Sequence, residues 1–171
     1  MLNRRVRRAV ALGAVVLQSA CSDASLPSRS ATGAIAEVTA RDNQFADYPV
    51  IGTTYLSFDG AHGFQINYIG PRGKAWLWYP GNRRGVAEEW KLDTVNGSSA
   101  ICFRHPTKSY NPITKTTGGA FACQSLALSQ KAKVASLPGD PFDLASGSVP
   151  YVLAKCAAPQ AFQFDRKKFG C

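Results

Sequence analysis

The segment EEWKLDTVNGSSAICFR, residues 88–104, combines a strong turn signal with alternating apolar residues on both sides of it. Asn96-Gly97 suits a two-residue type I′ turn, because both central positions of that turn need a positive φ. Placing these two residues at the turn sets Val95 opposite Ser98 and determines the register of a β-hairpin. Successive side chains of a strand point to opposite faces. We therefore expect four large apolar residues to share one face and belong to the core: Trp90, Leu92, Ile101 and Phe103.

The same register places Cys102 on the other face of the hairpin, beside Lys91 and outside the apolar layer. A turn signal at Gly118-Gly119 then allows the chain to double back. The segment AFAC that follows can lie alongside the strand that carries Cys102, which brings Cys123 next to it. We expect these two cysteines to form a disulfide that links neighbouring segments.

Apart from Cys21, the chain has an even number of cysteines, which in an exported protein predicts disulfides. Three pairings are possible, and we favour Cys102–Cys123 and Cys156–Cys171 because each closes a local loop. No Cys-x-x-Cys spacing is present, which argues against thiol-exchange catalysis. The two histidines have no tight Cys/His cluster around them, so we expect neither a metal site nor a cofactor.

The first 21 residues have the pattern of a secretory signal peptide. Four arginines precede an apolar run from Ala9 to Leu17, and small residues follow before Cys21. The run is shorter than the about 20 residues that a membrane-spanning helix needs. The ending resembles a lipoprotein cleavage site with Cys21 as the lipid anchor, although Gln18 stands where the usual pattern has Leu. Ordinary cleavage nearby, which gives a soluble product, is the alternative.

The composition changes near residue 48. Residues 22–47 are small, polar and alanine-rich, and we expect a flexible linker with room for one short helix. Residues 48–171 contain short aromatic and β-branched runs between turn residues, which predicts strands. We place these strands near 53–59, 63–69, 74–79, 87–95, 99–105, 119–125 and 150–155. The predicted fold is mainly β: one small antiparallel β-barrel or sandwich with meander connections, disulfide-stapled and with little helix.

The distribution of charge is more informative than its total of +9. Four of the 20 basic residues lie in the signal segment, which leaves 16 against 11 acidic residues, a mature charge of about +5. No acidic residue occurs between Asp93 and Asp140, whereas Arg104, Lys108 and Lys115 do. These three form a candidate anion-binding face, and a solvated loop face is the alternative. Few aromatic residues are interleaved with them, so we expect no nucleic-acid partner.

The sequence contains no catalytic motif. Serine, histidine and aspartate residues are scattered along the chain without a Gly-x-Ser-x-Gly turn, so we name no catalytic residue. Glu88 and Glu89 are adjacent and would face opposite sides of a strand, which prevents their use as a carboxylate pair. The rival hypothesis is a small hydrolase or transferase that uses His105 in a cleft. It requires a carboxylate and a hydroxyl within hydrogen-bonding distance of His105.

Four segments of the chain, GKAWLWYPGN, GVAEEW, GSSAICFRHPTKSYNPIT and GGAFAC, occur between residues 50 and 125. Their aromatic pair, Gly-to-Trp segment, Ile-Cys-Phe-Arg strand and second cysteine about twenty residues later resemble a family of small exported bacterial (lipo)proteins of unknown function. The resemblance implies an envelope protein built on a Trp-rich β-domain, and it implies no particular activity.

These observations favour a non-enzymatic protein of the cell envelope. We expect a binding or structural module with a basic face, located in the periplasm or anchored to the membrane by a lipid on Cys21. Its expected partner is an anionic envelope polymer or a protein. A periplasmic inhibitor or assembly partner is a further alternative, because such roles leave no motif in the sequence.

Overall fold

The computed structural model describes residues 30–169. It contains a seven-stranded antiparallel sheet and a separate sheet of two short strands. The strands, in chain order, are β1 (Thr53–Asp59), β2 (Gly63–Ile69), β3 (Lys74–Trp78), β4 (Val86–Val95), β5 (Ser98–Arg104), β6 (Tyr110–Asn111), β7 (Thr116–Thr117), β8 (Phe121–Ser125) and β9 (Lys133–Pro138). The helices are α1 (Ala31–Thr39), α2 (Leu126–Lys131) and two 3-10 turns at Leu144–Ser146 and Arg166–Lys168.

The large sheet has the strand order β8-β5-β4-β3-β2-β1-β9, a meander whose last strand joins the opposite edge. α2 and Ala132 form the whole connection between the two edge strands, β8 and β9. A helix of six residues rises only about 9 Å. The two edges therefore lie close together, and the sheet curls into a half-barrel. The mainly β fold and the antiparallel meander predicted from the sequence are confirmed.

Each face of the sheet carries an apolar cluster. The first, which we call the tail face, is covered by the C-terminal segment that follows β9. Its buried residues include Leu56, Phe58, Phe64, Ile66, Trp78, Leu144, Leu153 and Phe162. The second, which we call the α2 face, is packed against α2 through Leu126. Its buried residues are Tyr48, Tyr55, Ile69, Ala75 and Ile101.

The β4–β5 hairpin has the register predicted from Asn96-Gly97. Both turn residues have a positive φ, 49° at Asn96 and 76° at Gly97. Three of the four expected core residues are buried or half-buried, but Leu92 is 54% exposed. The core prediction for Leu92 was wrong because β3 pairs with β4 only as far as Glu89, so no strand lies beside Leu92 on that side.

Cys102 and Cys123 stand directly opposite each other on β5 and β8 and form a disulfide, as predicted. Cys102 lies opposite Lys91 and on the other face of β5 from Phe103, as predicted, and it is nevertheless fully buried. Ala100, which shares this face of β5, is also buried, so the face is enclosed around the cross-link. The predicted Cys156–Cys171 bond includes Cys171, which lies outside the described residues.

One strand prediction was wrong, and strand β9 was missed. β9 was not predicted, because its sequence KVASLP alternates weakly; it forms by pairing with β1, which buries Val134. The segment 150–155 is not a strand. It instead packs on the tail face, where Leu153 is buried and the ring of Tyr151 lies 5.0 Å from that of Trp78. Its apolar residues therefore serve packing, although no strand ladder forms there.

The N-terminal part of the chain is described only from residue 30. The predicted signal peptide and Cys21 lie outside the described residues. Residues 30–47, expected to be flexible linker, fold against the domain: α1 contacts α2 and β1, and Arg41 donates a hydrogen bond to the Phe58 carbonyl at 2.8 Å. The folded domain therefore begins before residue 48. Neither helix in the described part of the chain has the length and apolar character to span a membrane.

Replacing Cys123 by serine should lower the free energy of unfolding by about 3 kcal/mol, because the cross-link spans a sequence separation of 21 residues. Cys123 is exposed and accepts serine, while buried Cys102 keeps its packing. Urea unfolding followed by tryptophan fluorescence measures the change. Lys115→Ser, in the loop that the disulfide closes, is the control and should change stability by less than about 0.5 kcal/mol. Equal midpoints for the wild type and Cys123→Ser would contradict this prediction.

Candidate functional site

An open groove of about 390 Å³ lies where the pairing of β4 with β5 ends. The last pair is Glu89 with Arg104. The backbone N–H and C=O groups of every second residue of β5 point toward β4, so after Arg104 the next to do so would be those of Pro106. Proline has no amide hydrogen, and the ladder of hydrogen bonds ends there. The start of β4 therefore pairs with β3 alone, and its free edge forms one wall of the groove. The charged and aromatic side chains that line the groove are Lys74, Trp76, Glu88, Glu89, Arg104 and His105.

Glu88 is the buried acid of the groove, with 4% of its surface exposed. Its Oε1 lies 2.6 Å from Nδ1 of His105, and its Oε2 accepts a hydrogen bond from Nδ2 of Asn67 at 3.1 Å. The hydrogen bond to Glu88 raises the pKa of His105; burial acts against this rise, and the negative charge of Glu88 adds to it. The contact therefore favours the protonated imidazolium form of His105.

A buried amine lies close enough to Glu88 to interact with its charge. Lys133, from β9 at the opposite edge of the sheet, places Nζ 4.3 Å from the ring centre of Tyr48. Burial lowers the pKa of Lys133 to about 8, although the charge of Glu88 acts in the opposite direction. Burial, followed by the charges of Glu88 and Tyr55, raises the pKa of Tyr48 well above its usual value. The Tyr48 hydroxyl and Oδ1 of Asn67 have no hydrogen-bond partner within the described part of the chain.

The rim of the groove carries a group of three charges. Glu89 accepts hydrogen bonds from Lys74, at 3.3 Å, and from Arg104, its neighbours across β3 and β5. These bonds, that of Arg104 first, lower the pKa of Glu89. The Arg104 guanidinium also lies 4.9 Å from the ring centre of Phe121. Exposed ion pairs contribute little to stability, so their main effect is to hold both cations beside the opening.

Trp76 forms an aromatic wall of the groove. It is half-buried and stacks on Tyr68, its partner across β2 and β3, with ring centres 5.7 Å apart and ring planes 21° apart. Gly70 lies against the Trp76 ring so closely that a Cβ there would come within 2.6 Å of it. The ring is held from two sides, by Tyr68 and by Gly70, so its position beside the groove is fixed.

Of the three predicted anion-binding residues, only Arg104 lines the groove. Lys108 and Lys115 are exposed in the loop between β5 and β8, Lys115 between β6 and β7 with a φ of 56°. Anion binding by these residues stays a prediction. Sequence reasoning missed Lys74, because only the pairing of β3 with β4 brings it beside Glu89 and no local pattern distinguishes it from other lysines.

The other histidine and the candidate serines lie apart from one another. Nδ1 of His62 is 3.0 Å from both carboxylate oxygens of Asp59, the last residue of β1. Burial opposes ionisation of Asp59, but the hydrogen bond and charge of His62 outweigh it and lower the pKa of Asp59. Ser57 and Ser109 donate their hydroxyls to backbone carbonyls. Among the described residues these side chains therefore form no Ser–His pair of the kind used in nucleophilic catalysis.

One group of potential metal ligands occurs among residues 30–169. It consists of Asp93, Cys102 and Cys123, whose ligand atoms lie within 4.8 Å of one another. Both sulfurs belong to the disulfide, and a disulfide lacks the thiolate charge that binds metals. Only the carboxylate of Asp93 remains, so this group is not a metal site while the disulfide is intact.

Comparisons of the chain with protein-family models, curated proteins and solved structures found no match. The resemblance to small exported bacterial proteins therefore stays a prediction. Inferences about function rest on the groove itself: a buried acid beneath a histidine, two cations held by an exposed acid, and a fixed tryptophan ring.

Replacing His105 by glutamine should destabilise the protein most at acidic pH. The folded pKa of His105 is raised above its ordinary 6.5, so the folded chain binds this proton more tightly than the unfolded chain. The stabilisation is complete below about pH 6.5 and is lost as the pH rises through the raised folded value. At about pH 5.5 we expect a loss of about 1–3 kcal/mol, the cost of leaving buried Glu88 without a cationic partner, because the glutamine amide carries no charge.

Urea unfolding of both proteins at about pH 5.5, 7 and 8.5 measures this difference. The lowered pKa of Lys133, about 8, has the opposite sign and increases stability as the pH rises above 8. Because Lys133 is present in both proteins, its contribution largely cancels. Lys108→Gln removes an exposed cation from the same loop and should show no such pH trend. A His105→Gln loss that stays constant from acidic to basic pH would refute the assignment.

Proposed function

We propose that this chain is an exported, non-enzymatic binding module of the cell envelope and that its groove takes an acidic glycan. One observation carries the proposal: Trp76 and three cationic side chains, those of Lys74, Arg104 and His105, line the same open groove. An anionic envelope polymer made of sugar rings is the class of ligand that uses both kinds of wall.

The two kinds of wall fit different parts of such a ligand. A sugar ring has an apolar face that packs against an aromatic ring, and Trp76, stacked on Tyr68, offers one. A carboxylate or sulfate group can accept two parallel hydrogen bonds from a guanidinium. Arg104 can make these bonds when the ligand displaces Glu89, and Lys74 then adds a second positive charge on the other side.

The charges of the loop beside the groove also favour an anion. No acidic residue occurs between Asp93 and Asp140, and Lys108 and Lys115 are exposed in the loop that begins at His105. Cations placed outside the contact itself mainly increase the local concentration and association rate of an anionic ligand, in a salt-dependent way. We therefore propose that Lys108 and Lys115 attract the polymer from a distance and that the groove makes the direct contacts with it.

Export is part of the proposal. The arginine-rich start and short apolar run before Cys21 support it, and the Cys102–Cys123 disulfide is compatible with an oxidising compartment. A lipid on Cys21 would hold the module at a membrane surface, and cleavage without a lipid would leave it in the periplasm. Both locations expose the groove to envelope polymers.

A second candidate function is a small hydrolase or transferase that uses His105 as an acid or base. The 2.6 Å contact between His105 and buried Glu88 favours it, since catalytic imidazoles are commonly oriented by a carboxylate. Ser57 and Ser109 do not supply the hydroxyl that a covalent mechanism requires, because both are bonded to backbone carbonyls. Turnover of an acidic oligosaccharide by the wild type, abolished in His105→Gln, would favour this candidate.

Replacing Arg104, Lys108 and Lys115 together by alanine should weaken binding of an oligogalacturonate by about tenfold or more, or about 1.4 kcal/mol. The salt dependence should also become flatter, because fewer exposed cations attract the polyanion. Lys74→Gln, in the groove but outside this set, should weaken binding by about threefold. Calorimetric titrations at about 50 and about 200 mM salt measure both effects.

The matched control removes three cations from the other end of the strands: Lys155, Lys167 and Lys168. The carbonyl of Lys155 accepts a hydrogen bond from Phe64, next to the β1–β2 turn, whereas the groove begins beside the β2–β3 turn. This variant has the same net charge as the first and should bind almost as tightly as the wild type. Equal losses of affinity in the two triple variants would mean that binding depends only on net charge. That result would rule out the groove as the binding site.

A further inference from the structure

Strand β8, Phe121–Ser125, is an edge of the large sheet. It pairs with β5 on one side, and within residues 30–169 no strand pairs with its other side. All five of its residues are exposed. The disulfide between Cys102 and Cys123 ties β8 to β5, so the edge is held in an extended conformation.

The outward backbone groups of β8 follow from its pairing. The Cα atoms of Cys102 and Cys123 lie 4.0 Å apart, the close spacing of a non-hydrogen-bonded antiparallel pair. The N–H and C=O of Cys123 therefore point away from β5, and so do those of Phe121 and Ser125 two residues away. The Ser125 carbonyl accepts a hydrogen bond from the Ser129 hydroxyl at 3.1 Å. The other outward groups have no partner in the described part of the chain and form a template for a further strand.

The opposite edge of the sheet is built differently. β9 has a register irregularity against β1, ends at Pro138 and turns the charged side chain of Lys133 inward over Tyr48. Irregularities, prolines and inward-pointing charges are the features by which proteins protect sheet edges from pairing. The sequence of β8, FACQS, contains no charged residue and no proline, and its pairing with β5 is regular. Of the two end strands of the large sheet in the described residues, β8 is therefore the one that is receptive to another strand.

We propose that β8 pairs with β8 of a second copy of this chain, antiparallel and around a two-fold axis at Cys123. Cys123 then exchanges both of its outward hydrogen bonds with the partner's Cys123, as in a hydrogen-bonded antiparallel pair. Phe121 stands opposite the partner's Ser125, and Ala122 opposite the partner's Gln124. In a two-fold interface the same patch of both subunits must complement itself. β8 meets this requirement because it has no charged residue, so its pairing with a second β8 places no like charges opposite each other.

The charges that flank β8 do not oppose this pairing. The cationic groups of Lys91 and Arg104 lie 5.1 and 4.9 Å from the Phe121 ring centre. Each is paired with its own acid, Lys91 with Asp93 and Arg104 with Glu89. The edge is only five residues long and buries less area than the roughly 1,200 Å² of a stable standard interface. We therefore expect reversible association in the micromolar range, and no obligate dimer.

Two double variants test the register as well as the pairing. Ala122 and Gln124 are exposed, and in the proposed dimer each stands opposite the other residue of the partner. Ala122→Lys with Gln124→Lys places like charges opposite each other at both positions, and should weaken association by about tenfold or more. Ala122→Lys with Gln124→Glu changes the same positions but places opposite charges across the interface, and should associate at least as well as the wild type.

Sedimentation velocity over a concentration series up to about 1 mM measures the association. The expected result is a dimer for the wild type and the Lys/Glu variant and a monomer for the Lys/Lys variant, all with the same urea midpoint. A wild type that stays monomeric throughout this range would overturn the proposal. A Lys/Glu variant as monomeric as the Lys/Lys variant would also overturn it, because the two-fold register at Cys123 would be wrong.

Discussion

A buried carboxylate imposes the main constraint on this structure. Burying a carboxylate costs several kcal/mol unless hydrogen bonds and opposite charges replace its hydration. The fold supplies these from three places: Asn67 of β2, His105 after β5 and Lys133 of β9. Because each partner is positioned by a different part of the sheet, the environment of Glu88 and the register of the strands depend on each other. A slip of one residue in β4 would turn Glu89 inward instead.

The curl of the sheet explains how Lys133 reaches this acid. β9 and β4 are four positions apart in the strand order, which in a flat sheet corresponds to about 19 Å. At that distance two charges in water are largely screened. The short α2 connection draws the edges together, and the half-barrel brings the amine close enough for the charge of Glu88 to raise its pKa against burial. The polar site is therefore a product of the fold, and no single segment contains it.

Contacts between residues that are close in the sequence could be predicted, whereas contacts between distant segments could not. Turn chemistry at Asn96-Gly97 predicted the β4–β5 register correctly because the contacts of a hairpin are local. The exposure of Leu92 was missed, since it depends on where β3 ends. Alternation correctly placed Glu88 and Glu89 on opposite faces, but their identical chemistry could not indicate which one is buried. The electrostatic influence of Glu88 on Lys133 depends on the curl of the whole sheet, for which no short pattern exists.

The two adjacent acids also bear on the choice between binding and catalysis. Glu89 is partly exposed and holds Lys74 and Arg104 at the rim, where a ligand carboxylate can replace it with little loss of stability. Glu88 is enclosed and favours the protonated form of His105 by raising its pKa. An imidazolium can attract an anion but cannot abstract a proton. Below its raised pKa, His105 therefore adds a third cation to the groove, where it can attract the anion of the proposed ligand or, in the rival proposal, donate a proton as a general acid.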